Sequence, residues 1–378
     1  MMSIYFFGEV IMFFLALLVN YLSLSKNKMF FKIICFFWAF LFGLRAYCVG
    51  NDTQEYADFF MGSKSFYGQI DDNPELEIGF LVFLKVLRKL TTYPTILFSI
   101  LSTWLFYLVY KIYLKVGRYD SYCYSLLIFF VISNCFMTLM CATRQCLSFC
   151  VLLSGLYICI NSKSLLDKKK KKKEILLGCL IMFSAILFHK SIAFLILILG
   201  IAYYMHFSKK IMYIMIVSSF VLSYFFLSYI GDLFNQVFVF AGSTAFNGID
   251  ADVMTRYSDD FGTFNQNFIT LLAWSIPPLL TIYLSDNDYV DNFYFRIMIL
   301  SVCIFLLFNT TYLIERINTL LILLGFTKYL PYNKYKNINK YKLIYFLFAL
   351  IMLVKAGLRY DNWPITDSTV PYYFIWEK

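Results

Sequence analysis

The chain has 378 residues, of which 61% are hydrophobic, 21% aromatic and only 15% charged, and no water-soluble fold of that length hides so much apolar surface. Its net charge of +10 comes from lysines set between apolar runs rather than from a basic face with base-reading elements, which argues against a nucleic-acid partner. The composition predicts an all-α, polytopic integral membrane protein bedded in the lipid bilayer, because a spanning helix satisfies its backbone donors and acceptors internally.

In chain order, apolar windows of ~20 residues place spans at about 4–24, 30–46, 94–115, 121–140, 146–161, 174–189, 191–207, 211–230, 267–285, 293–313, 316–330 and 343–358. That makes about twelve transmembrane helices in a single membrane domain over 1–378. The run Ile4–Leu24 lacks a basic start and a small-residue cleavage site and reads as a retained helix. Most cysteines, among them Cys35, Cys146, Cys150 and Cys303, lie inside apolar runs with no CxxC pair and no His/Cys metal spacing. They read as packing residues, and neither a metal nor a cofactor is expected.

Basic residues set the orientation. Lys168–Lys173, following Lys163, forms a short basic loop of the kind kept in the cytoplasm. The same parity puts Lys26, Lys28 and Lys32, then Lys111, Lys115 and Arg118, then Lys209 and Lys210, then Lys334, Lys336, Lys340 and Lys342 on the inner side. Ser285–Asn292, with Asp286, Asp288 and Asp291, is the one acidic inner loop. A crossing at Ile78–Leu90 would invert every later cluster, so that segment reads as an amphipathic or re-entrant helix near 78–90 on the outer face. Phe80, Phe83, Leu84, Leu87 and Leu90 line its apolar side. Three segments then lie outside: the acidic loop 47–92 with that helix, the acidic loop 231–266, and the aromatic tail 359–378.

Ionisable residues near the bilayer are costly and are therefore candidates for function. Arg45, after the second span, either snorkels to headgroups or joins a site. Arg144, in CATRQC, sits at an outer helix end where no positive-inside pressure exists; its guanidinium fork suits a pyrophosphate or a carboxylate. His189, in ILFHKSIAF, is either a hydrogen-bonded structural residue or a catalyst. Glu315 and Arg316 are adjacent on a helix, so they reach different partners, and Arg256 is the one base of an acidic loop. Outer-facing arginines favour a phosphate at headgroup level, while acidic and aromatic loops favour sugars, and a lipid-linked saccharide carries both parts. Glycosyl transfer from such a donor needs positive charge for the leaving pyrophosphate and a carboxylate or histidine to deprotonate the acceptor hydroxyl.

The succession LRAYCVGNDTQEY at 44–56, ELEIGF at 75–80, ATRQCLSF at 142–149, ILFHKSIAFLIL at 186–197, RYS at 256–258 and ERIN at 315–318 resembles the EpsG family of Wzy-type polysaccharide polymerases. The likeness is strongest over residues 30–200, and Asn51 and Thr143 depart from the family's usual residues without removing a charge. It implies a membrane glycosyltransferase that joins undecaprenyl-diphosphate-linked repeat units into O-antigen, capsular or exopolysaccharide. The expected place is the outer, periplasmic or extracellular face of the bacterial cytoplasmic (inner) membrane, with no metal ion and no cofactor. Carried over by position, it points to Arg45, Asp52, Thr53, Tyr56, Glu77, Arg144, Gln145 and His189; the expected mechanism uses Asp52 as base with His189 as second choice, Arg144 and Arg316 for the diphosphate, and Arg45, Thr53, Tyr56, Glu77, Gln145, Arg256 and Glu315 for substrate binding. The implied partners are a lipid-linked glycan donor and acceptor, with a chain-length regulator and a flippase. An O-antigen ligase, a polytopic flippase or exporter of lipid-linked saccharide, and a membrane O-acyltransferase are the competing readings.

Overall fold

A computed structural model describes residues 10–18 (except 12 and 16), 28–45, 53–62, 76–116, 142–162, 167–225, 268–308, 312–332 and 345–351 (except 348). Every regular element among them is a helix, as expected of backbone that must satisfy itself in hydrocarbon. Apart from helical stretches within 10–18 and 345–351 and the short turns Ala185–Leu187 and Phe326–Lys328, these are in chain order α1 (Lys28–Gly43), α2 (Thr53–Met61), α3 (Ile78–Arg88), α4 (Pro94–Val116), α5 (Thr143–Ser162), α6 (Lys168–Ser184), α7 (Ile192–Tyr204), α8 (209–225), α9 (Phe268–Leu284), α10 (Asn287–Val290), α11 (Phe293–Phe308) and α12 (Tyr312–Gly325). Two of them, α4 and α5, are long and apolar enough to cross a bilayer; α7, α9, α11 and the end of α12 are shorter apolar helices. The expected span at 121–140 lies outside the described residues.

The chain divides into two compact units, Met1–Leu197 with Leu353–Lys378, and Ile198–Met352. In the first, four helices pack side by side in directions fixed by named contacts. Phe31 near the start of α1 meets Tyr110 and Tyr113 near the end of α4, at ring separations of 5.6 and 6.0 Å. At the opposite end Ser99 donates to the Gly43 carbonyl at 3.2 Å, so α1 and α4 are antiparallel. Trp104 Nε1 donates to Ser154 Oγ at 3.1 Å and Cys150 Sγ to the Leu101 carbonyl at 3.7 Å, which makes α4 and α5 parallel. The α5–α6 pair is antiparallel through Gly155 and Gly178: a Cβ on Gly155 would come 2.4 Å from the Gly178 carbonyl oxygen, so only glycine permits that spacing. The starts of α1 and α6 and the ends of α4 and α5 therefore share one end of the unit. The ends of α1 and α6 and the starts of α4 and α5 share the other.

Three sequence expectations change. Lys168–Lys173 is the first two turns of α6 rather than a loop, because Asp167 caps it, accepting from the Lys169 and Lys170 amides at 2.8 and 3.4 Å. Helix α3 buries Phe80, Leu84 and Leu87 as the periodicity requires, but Leu90 lies past its C-cap and is exposed. Ile78, Val82 and Val86 add an exposed apolar stripe at four-residue spacing, so α3 is apolar on two sides. Arg45 does not snorkel: it lies two residues past the end of α1 and is 4% exposed.

In the second unit, Trp274 of α9 stacks on Phe305 of α11 with ring centroids 3.9 Å apart, and Gly325 closes α12 against the Met298 backbone. Asn318 of α12 donates to the Ser301 carbonyl at 2.9 Å, a polar tie between two apolar helices.

Candidate functional site

The site-bearing end of the first unit is the one opposite the lysine-rich starts of α1 and α6. Glu77 occupies the N-cap position of α3, with extended backbone, but its side chain does not cap the helix. It reaches instead to three donors. Arg144 Nη1, in the first turn of α5, lies 3.2 Å from Oε2; His189 Nδ1 lies 3.0 Å and the Lys190 amide 3.3 Å from Oε1. Arg144 also donates through Nε to the Tyr56 hydroxyl of α2 at 2.8 Å. Tyr56 is held in turn by the edge of Phe80 on α3, 5.9 Å between centroids. Arg144 and the His189–Lys190 turn thus converge on one carboxylate, and Tyr56 joins through Arg144.

Local packing explains the convergence. The turn Ala185–Leu187 carries the chain from α6 to His189, and a Cβ on Gly79 would stand 2.7 Å from the Leu187 carbonyl oxygen. Glycine at 79 lets the first turn of α3 lie directly on the hairpin, so that Glu77 meets His189. The N-terminus of α5 adds the positive end of its dipole beside the carboxylate.

The electrostatics follow from burial and partners. Burial pushes the Glu77 carboxyl up, but the His189 hydrogen bond and the Arg144 and His189 charges outweigh it, with help from a backbone amide. The carboxyl is held at about 2 against an ordinary 4.5. Glu77 is therefore an anion at neutral pH, and an ionised carboxylate only accepts; the Nδ1–H of His189 must be the donor. In the neutral ring that leaves Nε2 with a lone pair. The Glu77 side chain is 7% exposed, whereas Arg144 and His189 are 23% and 22% exposed. The carboxylate is thus enclosed and its two partners open outward.

The other expected residues fall as follows. Arg45 donates to the Phe42 carbonyl and lies over the Phe98 ring at 4.4 Å. It borders a small cavity that also touches Ser102 and Thr143, next to Arg144 but apart from Glu77. Thr53 and Gln145 are enclosed by their neighbours. Asp52 and Arg256 lie outside the described residues, as do the side chains of Glu315 and Arg316, although both of the latter belong to α12. Among the described residues, no group of three or more His, Cys, Asp or Glu side chains gathers in a way that suits a metal.

A second polar cluster, in the other unit, was not singled out from the sequence. Arg296 of α11 donates through Nε to the Ala202 carbonyl at 2.7 Å and through Nη1 to Asp291 Oδ1 at 2.8 Å. His206 Nδ1 stands 2.9 Å from both Arg296 Nη1 and Asp291 Oδ1. The signal was a lone arginine within the apolar run 293–313, which the cost of intramembrane charge marks for attention.

The first unit of this helical chain thus holds a partly exposed arginine and a partly exposed histidine on one buried carboxylate. Residues 28–374 match the EpsG family, and the chain belongs to that family, which is associated with Wzy-type polysaccharide polymerases. No curated protein and no solved structure matches the chain.

Proposed function

We propose that the chain is a membrane glycosyltransferase that polymerises undecaprenyl-diphosphate-linked repeat units at the outer face of the cytoplasmic membrane. The observation that carries this reading is the Glu77–Arg144–His189 constellation at the end of its unit opposite the lysine-rich starts of α1 and α6. His189 Nε2 takes the proton of an acceptor hydroxyl on the incoming lipid-linked unit. That oxygen bonds to the anomeric carbon of the growing chain as its bond to the diphosphate oxygen breaks, and Arg144 stabilises the departing diphosphate. Glu77 fixes the His189 tautomer and the Arg144 fork without touching sugar, and Tyr56 holds the guanidinium plane. Asp52 is the rival base. Capsule, O-antigen and exopolysaccharide are all products of this chemistry.

The test is chain assembly in a strain deleted for the gene, read as a glycan ladder on a gel. His189→Gln, which keeps a polar side chain but has no basic nitrogen, is expected to lose the ladder while single repeat units still reach the surface lipid. Arg144→Lys is expected to weaken it by about tenfold or more, since an ammonium does not replace a bidentate fork. A full ladder from His189→Gln with protein present in the membrane would return the base role to Asp52. Loss of all surface glycan on deletion would point to a ligase or flippase.

A further inference from the structure

The end of the first unit opposite the site collects ten lysines among the described residues. Lys28 and Lys32 open α1, Lys111 and Lys115 close α4, and Lys168–Lys173 open α6, and the helix pairing described above brings these ends together. Among the described residues of that end the acidic side chains are Asp167, which accepts from the α6 amides, and Glu174. None of Lys168–Lys173 forms an ion pair among the described residues, and all but half-buried Lys171 are exposed.

Such a helix start is unfavourable alone. Six positive charges oppose the α6 dipole, and repeat at the three- and four-residue spacings where like charges repel. Past Glu174 the helix presents Leu176, Leu177, Leu180 and Phe183 outward and touches α5 along the narrow glycine seam. An exposed apolar helix wall is a lipid-facing wall, so the lysines at its end sit at headgroup depth. Among the described residues of that end, every basic side chain is a lysine. Mobile point charges suit a diffuse anionic surface, whereas a fixed phosphate ligand favours the arginine fork.

We infer that this lysine end is a docking surface for anionic phospholipid headgroups, and that α6 depends on them for the stability of its first turns. An acidic protein is the occupant this excludes.

The test uses the full chain in a neutral detergent, with thermal unfolding followed during titration with phosphatidylglycerol or phosphatidylcholine. Phosphatidylglycerol is expected to raise Tm at concentrations about fivefold or more below those at which phosphatidylcholine acts, the weight of one lysine near an anionic surface. Salt at 0.5 M should remove most of the difference, as on the order of 4 Å of screening length predicts. A variant with all six of Lys168–Lys173 changed to glutamine should lose the preference, and one with all six changed to arginine should keep it. Equal effects of the two lipids, or a preference insensitive to salt, overturns the proposal even if the glutamine variant fails to accumulate. So does a glutamine variant that keeps the whole preference. Stabilisation by polyglutamate without any by phosphatidylglycerol would assign the surface to an acidic protein instead.

Discussion

The chain builds a carboxylate–arginine–histidine cluster twice and inverts the burial. In Glu77–Arg144–His189 the carboxylate is enclosed at 7% exposure and the two basic side chains open outward. In Asp291–Arg296–His206 the arginine is enclosed at 5%, and the aspartate and histidine are 57% and 70% exposed. A buried anion orients groups that can still meet a ligand. A buried cation that bonds to a backbone carbonyl, as Arg296 does to Ala202, holds two helices together, and its exposed partners balance its charge. Identical residue types therefore separate into a site and a clamp according to which charge leaves water.

The largest effect that sharpens this contrast is expected from Glu77→Gln. An amide keeps the shape but turns a pure acceptor into a mixed group, so the His189 tautomer and the Arg144 fork both lose their fixed partner. Polymerising activity should fall by about a hundredfold, the scale found when an orienting carboxylate behind a working histidine is lost. Equal losses from Glu77→Gln and Asp291→Asn in a ladder assay would break the comparison, because burial would then not distinguish the two clusters.

Gly79→Ala comes next. The added Cβ meets the Leu187 carbonyl oxygen at 2.7 Å, and since that atom is backbone, the hairpin bearing His189 must shift. Misplacement of that order costs about ten- to a hundredfold in rate. Thermal stability should drop as well, whereas glycine-to-alanine at 200, where a Cβ meets nothing within 4 Å, should leave both unchanged. Similar effects at the two positions would detach Gly79 from the site.

How much of this was legible in the sequence follows the same physics. Helical class and lysine polarity were readable because hydropathy and charge are local properties of a stretch. Arg144 and His189 stood out as ionisable residues at apolar helix ends. The partners of Glu77 were not readable: nothing local says that its carboxylate turns away from its own helix toward residues 67 and 112 positions on. The burial of Arg45 was equally hidden, since it depends on Phe98 of a different helix. Arg296 was overlooked because neighbouring apolar residues gave no motif around it.

The acid range offers a physical check independent of catalysis. Glu77 titrates lower in the folded protein than its ordinary 4.5, so the folded state favours its ionised form. That stabilisation is fully present above about pH 4.5 and is lost as pH falls toward 2. It corresponds to on the order of 3 kcal/mol. Unfolding of wild type and Glu77→Gln should differ most near neutral pH, and the gap should close as pH falls through that window. A gap constant from pH 7 to 3 would mean that the lost stability is packing rather than charge.

The smallest effect is expected at Asp291→Asn. The His206 hydrogen bond lowers the Asp291 carboxyl most; desolvation opposes it, and the His206 and Arg296 charges with the Arg296 hydrogen bond lower it further. Its solvent contact screens both partners, and exposed ion pairs contribute about 0–1 kcal/mol. Neutralising it removes one acceptor of charge from Arg296 but leaves the guanidinium bonded to the Ala202 carbonyl, so the α7–α11 tie survives. A ladder close to wild type with a slightly lower Tm is the expected outcome, and raising the salt should shrink the Tm difference further. Arg296→Met reads the other half of the clamp: it should lower Tm more than Asp291→Asn while sparing glycan length in whatever protein still folds. A variant at either position that folds normally yet makes no long chains would mean that the second cluster is also a site, and that exposure of the acid is no guide to what a cluster of these three residues does.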